Sequence, residues 1–512
     1  MITLWYHPSM QNLKHSVFWP PFLILLLSVF YSLVDAEGFI QNATGINNFL
    51  LDKFGWLYSI STLTFFTVVL WTYFSPIAQI RIGGKTAKPL LTKWKWFSIT
   101  LCTTIATGIL FWGTSEPLYH LHTPPAGLSI EPNSLEALRF SMSTLFMHWT
   151  LIPYGIYTCA GLLFALVYYN LKRPFSLGSM LYPIFGERTK GPIGTIIDAV
   201  CLYSLVAGMA ASLGTGILTI SGGMNTLYGF ESSHFLLAVI ALVIVAAFVL
   251  SAISGLMKGI QLLSDWNIRA FIGLAIFVFL CGPTLFILKI GVEGIGEFLQ
   301  TFFQRSLYVG LSPEDKWAQS WTLFYWANWL AWTPVTALFL GRLSLGYTVR
   351  DFIHFNLVYP SLFGAFWMMI FGGTSIHADY FQADSPIYTI LQNEGIENVV
   401  FAIFETLPFA EVISFLFLVI IFLSFVTASD SNTSAMSGLS STGISPESPE
   451  PSLGIKLIWG VTIGAVALIM VTNSGVDGVK MVSNLGGFPA LFFMILAAWA
   501  LIKLGKQPEL LE

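Results

Sequence analysis

Residues 321–334 read WTLFYWANWLAWTP, and six of these fourteen are aromatic. Phe324, Tyr325, Trp329 and Trp332 stand at offsets of one, five and eight, so on a helix they clothe about half the circumference in π faces. An aromatic face attracts a cation, by roughly 0.5–2 kcal/mol per ring where water is excluded. A methylated onium group suits such a surface because it has no N–H in need of a hydrogen-bond partner. Trp and Tyr also gather in belts at bilayer interfaces, but a belt is only a turn or two deep. Trp321 to Trp332 spans about 16 Å of helix, and the run ends in Pro334 within an apolar segment that continues to Leu340. The stretch reads as a binding surface.

A second aromatic set lies in Phe146 to Tyr157, FMHWTLIPYGIY. On one continuous helix Trp149, Tyr154 and Tyr157 share roughly one face, as Phe324, Trp329 and Trp332 do in the first stretch. Two facing stripes can enclose a trimethylammonium head. The carboxylate of a zwitterion then needs donors, and no Lys or Arg lies between Thr104 and Gly108. Backbone N–H groups at Thr104, Ile105, Ala106 and Gly108 are the candidates, aided by a half-helix dipole. His148 adjoins Trp149 one step round the helix and reads as a structural hydrogen-bonding residue. His120 and His122 have no third ligand nearby, so no metal site is expected there.

The composition says what frame holds these side chains. The chain has 512 residues, 55% hydrophobic and only 10% charged, with a mean hydropathy of +0.74. That is too few charges to cover a soluble globule, so an all-α polytopic membrane protein surrounded by lipid is expected. The net charge of −4 gives no reason to expect a nucleic-acid partner. The four cysteines fall in apolar runs without CxxC spacing and read as small buried residues. A window of about twenty residues yields twelve candidate spans: 15–34, 55–75, 96–119, 137–169, 194–220, 234–254, 268–289, 317–340, 351–371, 408–430, 453–472 and 487–504. With the N-terminus cytoplasmic, seventeen of the 23 Lys and Arg residues fall on the cytoplasmic side, so the positive-inside rule places both termini in the cytoplasm and the protein in the inner (plasma) membrane. Residues 291–307 carry Val292, Ile295, Phe298, Leu299 and Phe302 at helical spacing and are expected to lie in the interface as an amphipathic helix.

Several spans are broken. The third passes through Thr103, Thr104, Thr107, Gly108 and Gly113 before Ser115-Glu116-Pro117, and the tenth ends in TASDS from Thr427. Unwound backbone at membrane depth is tolerated only where it lines a cavity or is buried in protein. Spans 3 and 8, like 5 and 10, lie five apart, the spacing of two five-helix repeats of opposite orientation that place a substrate near the midplane.

Trp321 to Phe352 (WTLFYWANWLAWTPVTALFLGRLSLGYTVRDF) resembles the signature of the betaine/choline/carnitine transporter (BCCT) family, and Gly108 to Leu118 (GILFWGTSEPL) resembles that family's third-helix motif. The resemblance implies one transporter domain over 1–512, with two peripheral helices in 15–75, a LeuT-like inverted core of repeats at 96–289 and 317–504, and a homotrimer. It implies transport of a quaternary ammonium compound rather than catalysis. Trp149, Tyr157 and Trp329 match the central aromatic box, and Tyr154 stands where many members have Trp. Phe324 and Trp332 match aromatics of a more cytoplasmic waiting site, where Asn328 replaces a further Trp.

Coupling is expected to use sodium. Thr427, with backbone carbonyls of Cys102 and Ile105, matches the family's main sodium site. The next residue, a Ser in the family, is Ala428 here, so one hydroxyl is missing unless Ser429 substitutes. Leu205 and Met209 replace threonines of a second sodium site. The exchangers' arginine has no counterpart between Asp198 and Tyr228, and their methionine falls near Thr336. Proton-coupled choline carriers have Asp where Gly108 stands, so zwitterions are expected to be preferred over choline. A channel could reuse the same lining; an enzyme would need a nucleophile and base or a metal motif, and no HExxH is present. Only Lys503 to Glu512 follows the last span, so constitutive uptake without an osmotic switch is expected.

Overall fold

The computed structural model describes residues 13–104, 106–254, 256–444 and 452–511. Helices dominate because the chain is apolar nearly all round, and a backbone with no water to bond must satisfy itself internally. Among the described residues eight helices are long and apolar enough to cross a membrane, or nine with one bent pair. Twelve is not reached by this measure, partly because Phe324–Leu343, with its Trp, Asn and Thr residues, falls outside it.

The helices that matter below are α1 (His15–Val34), α2 (Ala36–Phe74), α3 (Lys93–Thr104), α4 (Ala106–His122), α5 (Leu135–Trp149), α6 (Leu151–Ala165), α7 (Pro192–Tyr228), α8 (His234–Ser254), α9 (Leu256–Cys281), α10 (Thr284–Ser306), α11 (Phe324–Leu343), α12 (Tyr359–Tyr380), α13 (Ala410–Leu439) and α14 (Leu453–Gly505). Local signals set several starts. Asp35 accepts from the Gly38 N–H at 2.9 Å to open α2, and Ser134 accepts from the Ala137 N–H at 3.0 Å to open α5.

Where the helices break, the sequence shows why. The third span bends by 55° between α3 and α4. The fourth is not the single helix its aromatic spacing assumes: it stops at Trp149, Thr150 leaves helical geometry (φ −128°, ψ −110°), and α6 begins at Leu151. Pro153 has no N–H to give the Trp149 carbonyl four residues back, so the ladder cannot run through. The seventh span ends early, at Cys281, because Gly282 and Pro283 follow; α10 begins at Thr284 rather than at 291.

The face that α10 buries also differs from the expected stripe. Phe298 and Phe302 pack inward, whereas Val292 and Leu299 are exposed. The inward side instead takes the Arg305 guanidinium, which lies 4.2 Å from the Phe140 ring centroid and donates to Ser143 and Thr144 on α5. The last two expected spans are two helical limbs of α14 joined by a reversal at Gly475, whose backbone is not helical (φ 52°, ψ −132°). Gly214 of α7 faces both Val471 and Val479, and Gly478 abuts the Met470 carbonyl; eight residues of straight helix would separate those two by about 12 Å.

Both described ends of the chain lie on one side of the bundle. The Lys14 N–H donates to the Ser440 carbonyl at 2.8 Å, and Asn170 links the Leu511 and Arg81 carbonyls.

Candidate functional site

Trp329 is the centre of the aromatic cluster. Its indole N–H donates to the His148 carbonyl at 3.1 Å. Around it stand Trp149 at 5.5 Å, Tyr154 at 5.8 Å and Tyr157 at 5.1 Å between ring centroids, all buried. The break at Thr150 therefore does not scatter the second stripe: α5 contributes Trp149, α6 the two tyrosines, and both face α11. The break even supplies the anchor, since a through-running helix would pair the His148 carbonyl with its own backbone instead.

Behind the box stands a residue that its sequence setting, Ser115-Glu116-Pro117, marked only as a helix break. Glu116 is fully buried and accepts from the Trp149 indole at 2.8 Å and the Tyr325 hydroxyl at 2.5 Å on one oxygen. The other oxygen accepts from His148 Nδ1 at 2.7 Å and His120 Nε2 at 3.1 Å. His148 Nε2 meets the Thr322 hydroxyl at 3.0 Å. One carboxylate thus ties α4, α5 and α11 together and fixes two rings facing the box. The ligand-type atoms of Glu116, His120 and His148 lie within 4.8 Å of one another, a spacing that could hold a metal ion; they are already bonded among themselves. The two neighbouring histidines of α4 part company, for His122 bonds Asp379 at 2.7 Å and stacks on Tyr388.

The cavity beside the box is small, about 40 Å³. That is room for about three waters, far below the roughly 300 Å³ at which small-molecule pockets begin. Its lining includes Thr104, Gly108, Asn328 and Val479 along with Trp149 and Trp329. Asn328 accepts from the Ser483 hydroxyl at 2.9 Å. Gly108 touches the box directly: a Cβ there would sit 2.6 Å from the far edge of the Trp149 ring. Of the other expected carboxylate donors, Thr104 bonds its hydroxyl to the Thr100 carbonyl at 2.8 Å; Ile105 and the side chain of Ala106 lie outside the described residues.

Phe324 and Trp332 both line that small cavity with Asn328. They flank Trp329 on opposite sides along α11, eight residues or about 12 Å apart. Trp332 packs on Gly208 of α7. Phe324 faces a wide cleft of about 600 Å³ that also takes in Asp52, Lys316, Asp477 and Lys480.

The expected sodium ligands fall where α3, α9 and α13 meet. Thr427 donates its hydroxyl proton to the Leu423 carbonyl at 2.7 Å. Ser429 is buried on the same helix. Cys102 lies across from them, its thiol on the Ser264 carbonyl at 3.5 Å. Asn267 of α9 joins the two sides, 4.0 Å from the Cys102 sulfur and 2.8 Å from the Ser424 hydroxyl. These hydroxyls and amide oxygens are hard donors of the kind sodium takes. Asn267 lies between Asp265 and Arg269, just ahead of the seventh expected span, and Ser424 inside an apolar run, so neither stood out in the sequence; Leu205 and Met209 are buried.

Residues 16–509 match the family model described as BCCT, betaine/carnitine/choline family transporter. Relatives include the glycine betaine transporter OpuD of Bacillus subtilis (strain 168), 31% identical over 94% of this chain and 93% of its own. A protein named "Probable glycine betaine transporter" from Desulfitobacterium hafniense (strain Y51) is 29% identical over 94% and 95%. The ectoine/hydroxyectoine transporter of Virgibacillus pantothenticus is 28% identical over 95% of each chain.

Proposed function

The chain belongs to the betaine/carnitine/choline transporter family, and we propose that this member is a secondary active carrier importing a zwitterionic onium compound such as glycine betaine. The observation that carries the reading is the convergence of Trp149, Tyr154 and Tyr157 on Trp329 within 5.1–5.8 Å, with no carboxylate at position 108. Rings so placed offer π faces to a trimethylammonium head in a desolvated site. The first N–H groups of α4 have no partners within their own helix and point their positive end at the bend, which suits the substrate's carboxylate.

A cavity of about 40 Å³ holds no such solute, so binding must part the rings, and alternating access provides that motion. Sodium is the proposed coupling ion, held by Thr427 and Ser429 with carbonyls near Cys102. The remaining parts of the proposal are twelve crossings with inverted repeats, a homotrimer, and cytoplasmic termini in the plasma membrane.

Binding to purified protein, followed by tryptophan fluorescence, tests the reading. Glycine betaine, carnitine, choline and ectoine are compared with and without sodium. Saturable, sodium-enhanced quenching by a betaine is expected. Choline bound more tightly than every zwitterion would overturn the substrate class, and accumulation in proteoliposomes that ignores the sodium gradient would overturn the coupling.

A further inference from the structure

A cation already sits among aromatic rings elsewhere in this protein. The ammonium of Lys480, on the returning limb of α14, lies 4.1 Å from the Trp321 ring centroid and 5.4 Å from those of Trp112 and Phe324. All three distances fall within the range of a cation–π contact. The three rings come from α4, the turn just before α11 and the start of α11, and brace one another: Trp112 meets Trp321 edge-on at 5.9 Å and Phe324 at 5.7 Å. Among the described residues the one hydrogen bond of the ammonium is a long one, 3.4 Å to the Ser320 carbonyl. Its surroundings are therefore chiefly π faces, the environment that a quaternary ammonium head requires.

The cage also stands in the path. Phe324 borders both the wide cleft and the small cavity beside Trp329; Lys480 lines the first, and Trp112 and its neighbour Val479 line the second. A solute moving from the cleft to the box must pass these rings. We propose that Trp112, Trp321 and Phe324 form an outer onium site, and that Lys480 is its tethered resident cation, displaced by an arriving zwitterion and then paired with the zwitterion's carboxylate. This inference rests on the onium reading above and extends it to selectivity.

The exchange discriminates by charge. A zwitterion replaces the ammonium in the cage with its own onium head and offers the freed ammonium a carboxylate only a few bonds away. Choline brings a second positive charge and no partner, so it meets Lys480 with repulsion alone. Asp477, three residues before Lys480 on the same limb, and the Lys316–Asp52 ion pair at 2.9 Å complete the charges on the cleft wall. They supply no cation that would replace Lys480 within the rings.

The test compares glycine betaine and choline as external ligands of full-length protein in proteoliposomes, for wild type, Lys480→Met and Lys480→Arg. In Lys480→Met, betaine should bind several-fold more weakly and choline several-fold more tightly, so that their affinity ratio shifts by about tenfold or more. Lys480→Arg should keep the wild-type preference. Lys480→Gln serves the same comparison should Lys480→Met fail to insert. An unchanged ratio in a folded neutral variant, with wild type still binding betaine, overturns the exchange and leaves the carrier reading standing. Wild type that binds no onium ligand defeats the carrier reading itself.

Discussion

Trp329 is held at its nitrogen by the His148 carbonyl and touched by three aromatic rings. Replacing it by Leu keeps an apolar body and removes one desolvated π face. Betaine affinity should fall by about 1–2 kcal/mol, measured as Kd by fluorescence of the remaining tryptophans, with an unchanged elution volume in detergent. A folded Trp329→Leu protein of normal affinity would remove the box from the substrate's path. Gly108 makes a second prediction at the same scale. Because a Cβ there would lie 2.6 Å from Trp149, Gly108→Ala should push the indole off its 2.8 Å bond to Glu116 and weaken betaine binding at least about tenfold, the equivalent of about 1.4 kcal/mol. The larger Gly108→Asp should do the same before any change in charge preference can appear. Normal betaine affinity in Gly108→Ala would show that the ring has room to move.

Glu116 acts between elements, accepting from α4, α5 and α11 at once. Truncation to Ala leaves those buried donors without their acceptor, so Glu116→Ala should cost about 3–5 kcal/mol, the scale of breaking a buried ionic partner. Glu116→Gln, which keeps one acceptor oxygen, should cost less. Thermal unfolding in detergent reads both; equal melting temperatures for wild type and Glu116→Ala would mean the carboxylate holds nothing together. The α14 reversal gives another element-scale test. Gly475 adopts φ 52° with ψ −132°, a combination essentially restricted to glycine. Gly475→Val should therefore lower stability by about 1–3 kcal/mol and reduce the yield of inserted protein, whereas Gly45→Val, at an open position, should not. Similar yields for the two variants would argue against strain at the turn.

At the scale of the molecule, the described chain ends share one side of the bundle, and the residues proposed to hold sodium gather where α3, α9 and α13 meet. If sodium binds there, betaine accumulation should follow an imposed sodium gradient and collapse in Thr427→Ala, while sodium-independent binding of betaine persists. Accumulation in Thr427→Ala that matches wild type would move the ion elsewhere. Native mass measurement should find three chains of 56.6 kDa together; a monomer that transports at full rate would show that the trimer is not needed.

Much was legible in the residues because the bilayer is a severe solvent. Apolar runs of about twenty residues have few alternatives to helices there, and the aromatic faces crowded into Trp321 to Pro334 marked the stretch that the structure buries at the centre of the bundle. Local chemistry also marks the break beside Gly108 and, through Pro153, the one at Thr150, whereas the TASDS hydroxyls do not end their span: α13 runs through them to Leu439. What the sequence could not supply was adjacency across distance. Glu116 reaches His148 and Tyr325, 32 and 209 positions away, and Lys480 reaches rings at 112, 321 and 324; no periodicity encodes such meetings. Only the packing of α4, α5, α11 and the returning limb of α14 brings them together, since a side chain's partners are set by which helix faces it. The sequence alone determined the class of solvent and most of the helices, while tertiary structure decided where helices break and which charges meet which rings.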